Sequence, residues 1–238
     1  MGSKGLAVSR DYLEVEYSLT SKPKTQYPGL LAAEVASRWD LKRGDSLLDV
    51  ACGRAEMSAG FTALGLAVTA VDASPEARAY AESAGATFVA HSVDTNAPIP
   101  VQDNSFDVIF CKSFVEHLRE PVAFAEDCFR ILRPGGKVVF LTPDWEANQK
   151  IFFDDVTHVT PFSRTTMRQV LELSGFDCLA SYRFRQLPIT WRSPSVNIIS
   201  AAVAPFVPSR TTQKFFRWSR ELMLAGVGLK PASPATDS

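Results

Sequence analysis

A chain of 238 residues, 46% hydrophobic and 21% charged, has the composition of an ordinary globular protein, with length for one sizeable domain and an elaboration. Its 25 basic and 26 acidic residues leave a net charge of -1, which gives no global electrostatic reason to expect nucleic acid and favours a small substrate. Cys52, Cys111, Cys128 and Cys178 are widely spaced and form no CxxC pair, so reduced thiols in a cytoplasmic compartment are expected rather than disulfides or zinc. The N-terminus lacks the apolar core of a signal peptide, and no run reaches the roughly 18 apolar residues of a membrane span.

Along the chain, residues 1–27 show no clear period and are expected to form an arm or flap. Leu31, Val35 and Trp39 mark a helix. From Ser46 to Leu141, short β-branched or apolar runs alternate with helical patterns, the reading of parallel strands with crossover helices. Strands are predicted at Ser46–Ala51, Ala67–Asp72, Thr87–His91, Phe106–Cys111 and Lys137–Leu141. Ser74 and Pro75 read as the cap and first residue of a helix that Gly85 ends. Val122, Ala125, Phe129 and Leu132 form a stripe that should lie on the sheet.

After Leu141 the pattern loosens into "TPDWEANQKIFFDDVTHVTPFS", a length that is usually functional or disordered. Ser163 then caps a helix with Met167, Val170 and Leu171 inward and Gly175 beyond it. "FDCLASYRF" and "ELMLAGVGL" read as the last strands. The segment 185–220 between them is too apolar for a plain solvent loop and is expected to be helical, as a lid bordering an acceptor site or as a partner surface. The organisation expected is thus one domain over 28–184 and 221–230, an insertion at 185–220, and a disordered tail at 231–238.

In "LLDVACGRAE", a buried strand runs into Asp49 and then a turn of small residues, Ala51, Cys52, Gly53 and Ala55. Ligands of doubly wound sheets lie outside the carboxyl ends of the strands, where small side chains let a ligand lie against backbone. Asp72 ends the second strand in "VTAVDASP", where a carboxylate can accept both hydroxyls of a ribose. A nicotinamide dinucleotide would ask for GxGxxG at a helix N-terminus, and Asp49 would sit badly beside a pyrophosphate. A cationic nucleoside with an amino-acid tail suits these charges better.

At these residues the sequence resembles the class I S-adenosylmethionine-dependent methyltransferases with an LDVGCGxG-type turn. "LLDVACGRAE" matches the first motif, "VTAVDASP" the second, "SVDTNAPIPVQDNSFDVIFCKSFVEHLREP" the third and fourth, and "ILRPGGKVVFLTP" the fifth, over roughly Tyr27 to Leu141. The resemblance implies an α/β, doubly wound, Rossmann-like sheet of seven strands, mostly parallel with an antiparallel last strand. It also implies S-adenosyl-L-methionine as cofactor. Asp49, Ala51 and Gly53 would form its methionine-side turn, Asp72 and Ala73 would hold its ribose, Val93 and Asp94 would meet its adenine, and Cys111 would lie beside its sulfonium as a packing residue that contributes backbone, since nothing nearby in sequence would activate its thiol. Ala51 and Ala55 stand where the family usually has glycine. An alanine is expected there at non-positive φ, narrowing the cofactor's space and weakening its binding without abolishing it.

Methyl transfer to a hydroxyl also needs a proton removed, commonly by a histidine. His91 ends a strand in apolar context and reads as structural. His117 lies on the rim after the fourth strand, beside Glu116. His158 lies on the segment that covers the acceptor side in this fold and is preferred as base, with Asp154 and Asp155 placed to orient it or bind a cation. His158, His117 and Asp155 are the catalytic candidates, and no metal is assigned. Asp107 reads as the closure of the "DNSFD" turn. The acceptor expected is a small molecule, a saccharide or a lipid-linked group, methylated at oxygen, with peripheral membrane contact or a homodimer through 185–220. The alternatives are a cofactor-binding domain without transfer activity and an N-methyltransferase; "CKSF" stands where a nucleic-acid N-methyltransferase would show (D/N)PPY.

Overall fold

The structure, a computed structural model, describes residue 13, residues 23–93 and residues 97–232. The expectations for the N-terminal arm, for the tail and for Asp94 fall largely or wholly outside these residues. Seven strands, β1 Ser46–Val50, β2 Ala67–Asp72, β3 Thr87–Ala90, β4 Phe106–Lys112, β5 Leu132–Pro143, β6 Asp177–Arg185 and β7 Leu222–Leu229, form one sheet in the order β3-β2-β1-β4-β5-β7-β6. The first five strands pair in parallel, and β7 inserts antiparallel between β5 and β6. The strand order reverses between β1 and β4, the position where doubly wound sheets open a crevice at their carboxyl ends.

Both faces of the parallel part are covered, so its strands read as continuous apolar runs rather than alternating ones. Leu48, Val50, Ile109, Cys111, Val138 and Phe140 pack on one face with α4 (Pro121–Ile131) and α6 (Arg164–Leu173). Leu47, Val68, Ala70, Val108, Phe110 and Leu141 pack on the other with α1 (Tyr27–Arg38) and α2 (Glu56–Ala63). Gly226 in β7 has no side chain because one there would run into Met167 of α6.

The helices depart from the sequence reading in detail. The helix after β2 is α3, Ala77–Ser83, starting later than Ser74 and Pro75 imply; Ser74 instead accepts from the Glu76 backbone N–H through its hydroxyl. Gly85 does follow its end, at φ +75. On α4 the buried residues are Phe124, Ala125, Cys128 and Ile131, a stripe turned from the expected one, with Val122 and Phe129 only partly buried. Leu132 lies beyond that helix, at the start of β5, which begins before Lys137 and pairs with β4 across an irregularity between Phe106 and Val108. The Ser163 cap of α6 is a full capping box with Thr166.

The insertion is helical: α7 (Pro188–Arg192), α8 (Pro194–Val203), a 3-10 turn at Ala204–Phe206 and α9 (Lys214–Arg220). It packs on the N-terminal end of α1, where Tyr27 lies against Trp191 and Trp218 with ring centroids 6.2 and 5.3 Å away. Asp107 stands at the far end of the sheet, accepting from the backbone and hydroxyl of Ser46 and pairing with Arg133, a tie between β1 and β4.

Candidate active site

A cavity of about 580 Å³ opens at the carboxyl ends of β1, β2 and β4, lined among others by Asp49, Ala51, Gly53, Asp72, Ala73 and Val93. Of the residues assigned to the cofactor from sequence, the structure brings these six together on one wall.

The turn after β1 is made by left-handed backbone. Ala51, Gly53 and Ala55 have φ of +57, +52 and +52, so both alanines adopt the conformation of the glycines they stand in for. This corrects the expectation of a non-positive φ. Each alanine carries the strain of an L-residue in that region, on the order of 1–2 kcal/mol. The reason is visible in the hydrogen bonds: the turn is held by the Cys52 N–H donating to Val71 O at 3.1 Å, by Ala55 N–H to Cys52 O at 2.8 Å, and by Gly53 N–H to Asp72 Oδ2 at 2.8 Å.

Asp72 therefore fixes the turn with one oxygen, while its other accepts the Ser74 N–H at 2.8 Å. A carboxylate offers about four lone-pair sites, and Asp72 lines the cavity while making these two bonds. Asp49 lies on the sheet face of Leu47, where it accepts a 2.5 Å hydrogen bond from Ser58 of α2. Burial pushes its carboxyl up to about 7, against the Ser58 bond and with the help of the Asp72 charge. Only partly offset by the Lys112 charge, this buried acid on the cavity wall fits a cationic ligand. The cavity size, the small-residue turn and the two acids together fit S-adenosylmethionine, with Asp72 placed for its ribose and Asp49 for its positively charged end.

Cys111 does not belong to this wall. Strand alternation points Phe110 and Lys112 to the cavity side and buries Cys111 in the opposite core, with its thiol raised well above the usual value by burial, so it packs and can offer the cavity only backbone. Lys112, Tyr27, Arg54, Phe114 and Thr157 also line the cavity and escaped the sequence reading. Tyr27 has a buried hydroxyl without a hydrogen-bond partner. Its only sequence signal was a place just ahead of Pro28, at the start of a helix.

The other end of the cavity holds the acceptor-side candidates. His117 lines it; His158 does not, standing instead against His117 with ring centroids 4.8 Å apart. Glu116 is fully buried and accepts from the Thr142 hydroxyl at 2.8 Å, and burial pushes its carboxyl up to about 7. Its backbone carbonyl takes the N–H groups of Val159 and Thr160, which pins the His158 segment to the turn after β4. Burial first, then the neighbouring His158, lowers the His117 pKa, opposed by the Thr157 backbone, Asp155 and the Ser113 backbone. Asp155 is pulled up by burial and more than offset by its bonds from Thr157, which leave it below the usual carboxylate range. Asp154 pairs with Arg210 of the insertion at 2.9 Å, and His91 bonds the Ala97 carbonyl through Nε2 at 3.1 Å while also lining the cavity. No residue of the insertion lines the cavity among those described; it touches the lining residue Tyr27 through Trp191 and Trp218.

Residues 48–140 match the family described as "Methyltransferase domain". Among curated proteins, the chain is 37% identical over 114 residues to a ubiquinone biosynthesis O-methyltransferase of Xanthomonas oryzae pv. oryzae, covering 45% of this chain and 46% of that protein. It is 28% identical over 207 residues to a protein of the same description from Roseobacter denitrificans, covering 76% and 82%. The chain thus spans about half the length of the Xanthomonas relatives it matches. Among solved structures, a SAM-dependent methyltransferase from Archaeoglobus fulgidus superposes with a TM-score of 0.62 at 18% identity, over 85% of this chain and 94% of that one. The [4+2]-cyclase SpnF superposes at 0.59 and 17%, over 86% and 81%, so the fold is shared with a protein of other chemistry. The matched segment carries the small-residue turn between Asp49 and Asp72, on a seven-stranded sheet with an antiparallel β7, so a methyltransferase-domain match over 48–140 sits on a fold shared with solved SAM-dependent methyltransferases.

Proposed function

We propose that the protein transfers a methyl group from S-adenosylmethionine to an oxygen of a small-molecule acceptor. The observation that carries this reading is the pairing, in one cavity, of a nucleoside end built on Asp49, Gly53 and Asp72 with a histidine end built on His117 and, behind it, His158. The O-methyltransferase descriptions of the relatives support oxygen as the acceptor atom.

The bound cofactor would supply an activated methyl on a sulfonium; this chain supplies alignment, exclusion of water and a path for the acceptor's proton. Asp72 and the backbone of the turn fix the nucleoside. Tyr27, Phe114 and Leu118 wall the cavity against solvent. The His117 and His158 pair stands where a hydroxyl proton would leave, with Asp155 bonded through Thr157 to His117 as its orienting acid. General-base help of this kind contributes on the order of 10²–10⁴ in rate.

The insertion is read as a lid or partner surface. Its charged residues, Arg185, Arg192, Arg210, Lys214, Arg217 and Arg220, are all basic, and Ile189, Ile198, Ile199 and Phe206 are exposed beside them. That pairing suits peripheral contact with an anionic membrane, and with it a lipid-linked or saccharide-lipid acceptor, better than a plain solvent face; a homodimer through the same surface is the other use. No helix among the described residues is long and apolar enough to cross a membrane. The four free cysteines fit a reducing, cytoplasmic setting.

The test is incubation of the protein with methyl-labelled S-adenosylmethionine and a fractionated small-molecule extract, followed by mass spectrometry. A labelled methyl ether, absent with Asp72→Ala, is the expected product. Label on nitrogen, or cofactor binding without any labelled product across the fractions, sinks the reading.

A further inference from the structure

Glu116, His117 and His158 come from two segments that the sequence keeps far apart, and the fold brings them to one point: a carboxylate oxygen of the first and a ring nitrogen of each histidine all lie within 4.8 Å of one another. The hydrogen bonds around them fix what each group presents there. His158 Nδ1 faces the Phe152 carbonyl at 2.6 Å, and a carbonyl can only accept, so Nδ1 carries the hydrogen and Nε2 the lone pair. His117 Nδ1 meets the Thr157 hydroxyl at 2.9 Å, whose own hydrogen goes to Asp155 at 2.6 Å, so this ring too donates from Nδ1 and keeps its lone pair on Nε2.

Glu116 completes the set. Its Oε2 takes the Thr142 hydroxyl, but its Oε1 is buried without a hydrogen-bond partner. An unsatisfied buried carboxylate oxygen is costly, and the two ring nitrogens beside it present lone pairs rather than hydrogens, so a cation between the three would satisfy all of them at once. Each ring is held from behind by the kind of partner that orients metal-bound imidazole, a backbone carbonyl in one case and a hydroxyl backed by a carboxylate in the other.

We propose that Glu116, His117 and His158 hold one divalent transition cation at the acceptor end of the cavity. Two imidazoles and one carboxylate are a zinc-type donor set that leaves a coordination position open. Bonds of about 2.0–2.2 Å require the donor atoms to close in slightly from their present spacing, which side-chain rotation of His117, on the cavity wall, allows. His117 lines the cavity, so an acceptor hydroxyl there could take the open position, and coordination would make that hydroxyl acidic enough to give up its proton. This role rests on the O-methyltransferase reading, where with the cation bound it replaces the histidine pair's part as base, but the cation site itself does not.

The experiment uses the full chain, stripped with a chelator and dialysed. Zinc chloride is titrated calorimetrically, and cobalt(II) in parallel by its visible absorption. Expected are one equivalent of zinc per chain, intense cobalt bands of a low-coordinate nitrogen and oxygen site, and at least tenfold weaker binding in both Glu116→Gln and His158→Asn. Circular dichroism and S-adenosylmethionine affinity near the parent values show that those variants are folded. Should Glu116→Gln unfold, His158→Asn and His117→Asn carry the comparison. Absence of stoichiometric binding, or binding equally tight in the variants, overturns the site. If zinc fails to bind while methyl transfer persists, the cation proposal falls alone. If zinc binds as expected and no acceptor is ever methylated, the site stands and the transferase reading falls.

Discussion

The carboxyl end of β1 and the insertion between β6 and β7 are both rich in apolar residues, yet the chain uses them in opposite ways. Leu47, Leu48 and Val50 are wholly buried, while Ile198 is 68% and Phe206 87% exposed. The strand is covered on both faces by helices, so every side chain finds a partner and the acid at its end is fixed to the ångström. The insertion's short helices rest on α1 by one side, through Trp191 and Trp218, and leave the other side to solvent or to a partner. Burial by the protein's own core makes a site; burial left unfinished makes a surface for something else.

Substitutions can break or sharpen that contrast. The largest effect is expected from Phe61→Ala, which empties a fully buried position edge-on to Phe110 at 5.1 Å beneath the cofactor turn. A loss of about 3–5 kcal/mol in urea unfolding is expected, and a loss under 1 kcal/mol would mean this region is not the rigid half. Next is Asp72→Ala, expected to weaken S-adenosylmethionine by roughly 1.5–3 kcal/mol in calorimetry, since a charge-assisted acceptor and the anchor of the Gly53 N–H disappear together. Unchanged affinity would remove Asp72 from the nucleoside site.

Smaller and opposite in sign is Ala51→Gly, which relieves left-handed strain at φ +57 and should raise stability by about 1 kcal/mol, or about 2–4 °C in Tm for a chain of this size. It should also leave cofactor binding equal or tighter. A drop in Tm would show that the methyl group is packed rather than strained. Smallest is Phe206→Ser, expected within about 0.5 kcal/mol of the parent in dilute solution because the ring touches little. A cost above 1.5 kcal/mol that grows with protein concentration would instead reveal a dimer on this face; an unchanged stability with lost affinity for anionic vesicles would favour the membrane.

Much of the sheet was legible because buried parallel strands announce themselves as short β-branched runs and because Asp49 and Asp72 end two of them. The stripe of α4 was read one position off, since Cys128 and Ile131 are as apolar as the Phe129 and Leu132 beside them and periodicity alone cannot choose. Cys111 was placed at the cofactor only through its backbone, as a packing residue, and alternation along β4 does turn its side chain into the core between Phe110 and Lys112. The left-handed alanines were not legible at all, because residue type argues against that φ and only the ladder of turn hydrogen bonds enforces it. The meeting of His117 with His158 is likewise tertiary, set by the Glu116 carbonyl that anchors Val159 and Thr160.

Burial pushes the Asp49 carboxyl up to about 7, so it exchanges its proton near neutrality. A cation drawn into the cavity beside it stabilises the carboxylate and expels that proton, so cofactor capture and proton release become one coupled equilibrium. The binding enthalpy near neutral pH should then change with the ionisation enthalpy of the buffer, and the dependence should vanish in Asp49→Asn. Seen this way, the acid at the tip of β1 makes cofactor affinity rise with pH through neutrality, so the protein's hold on its methyl donor follows the acidity of its surroundings.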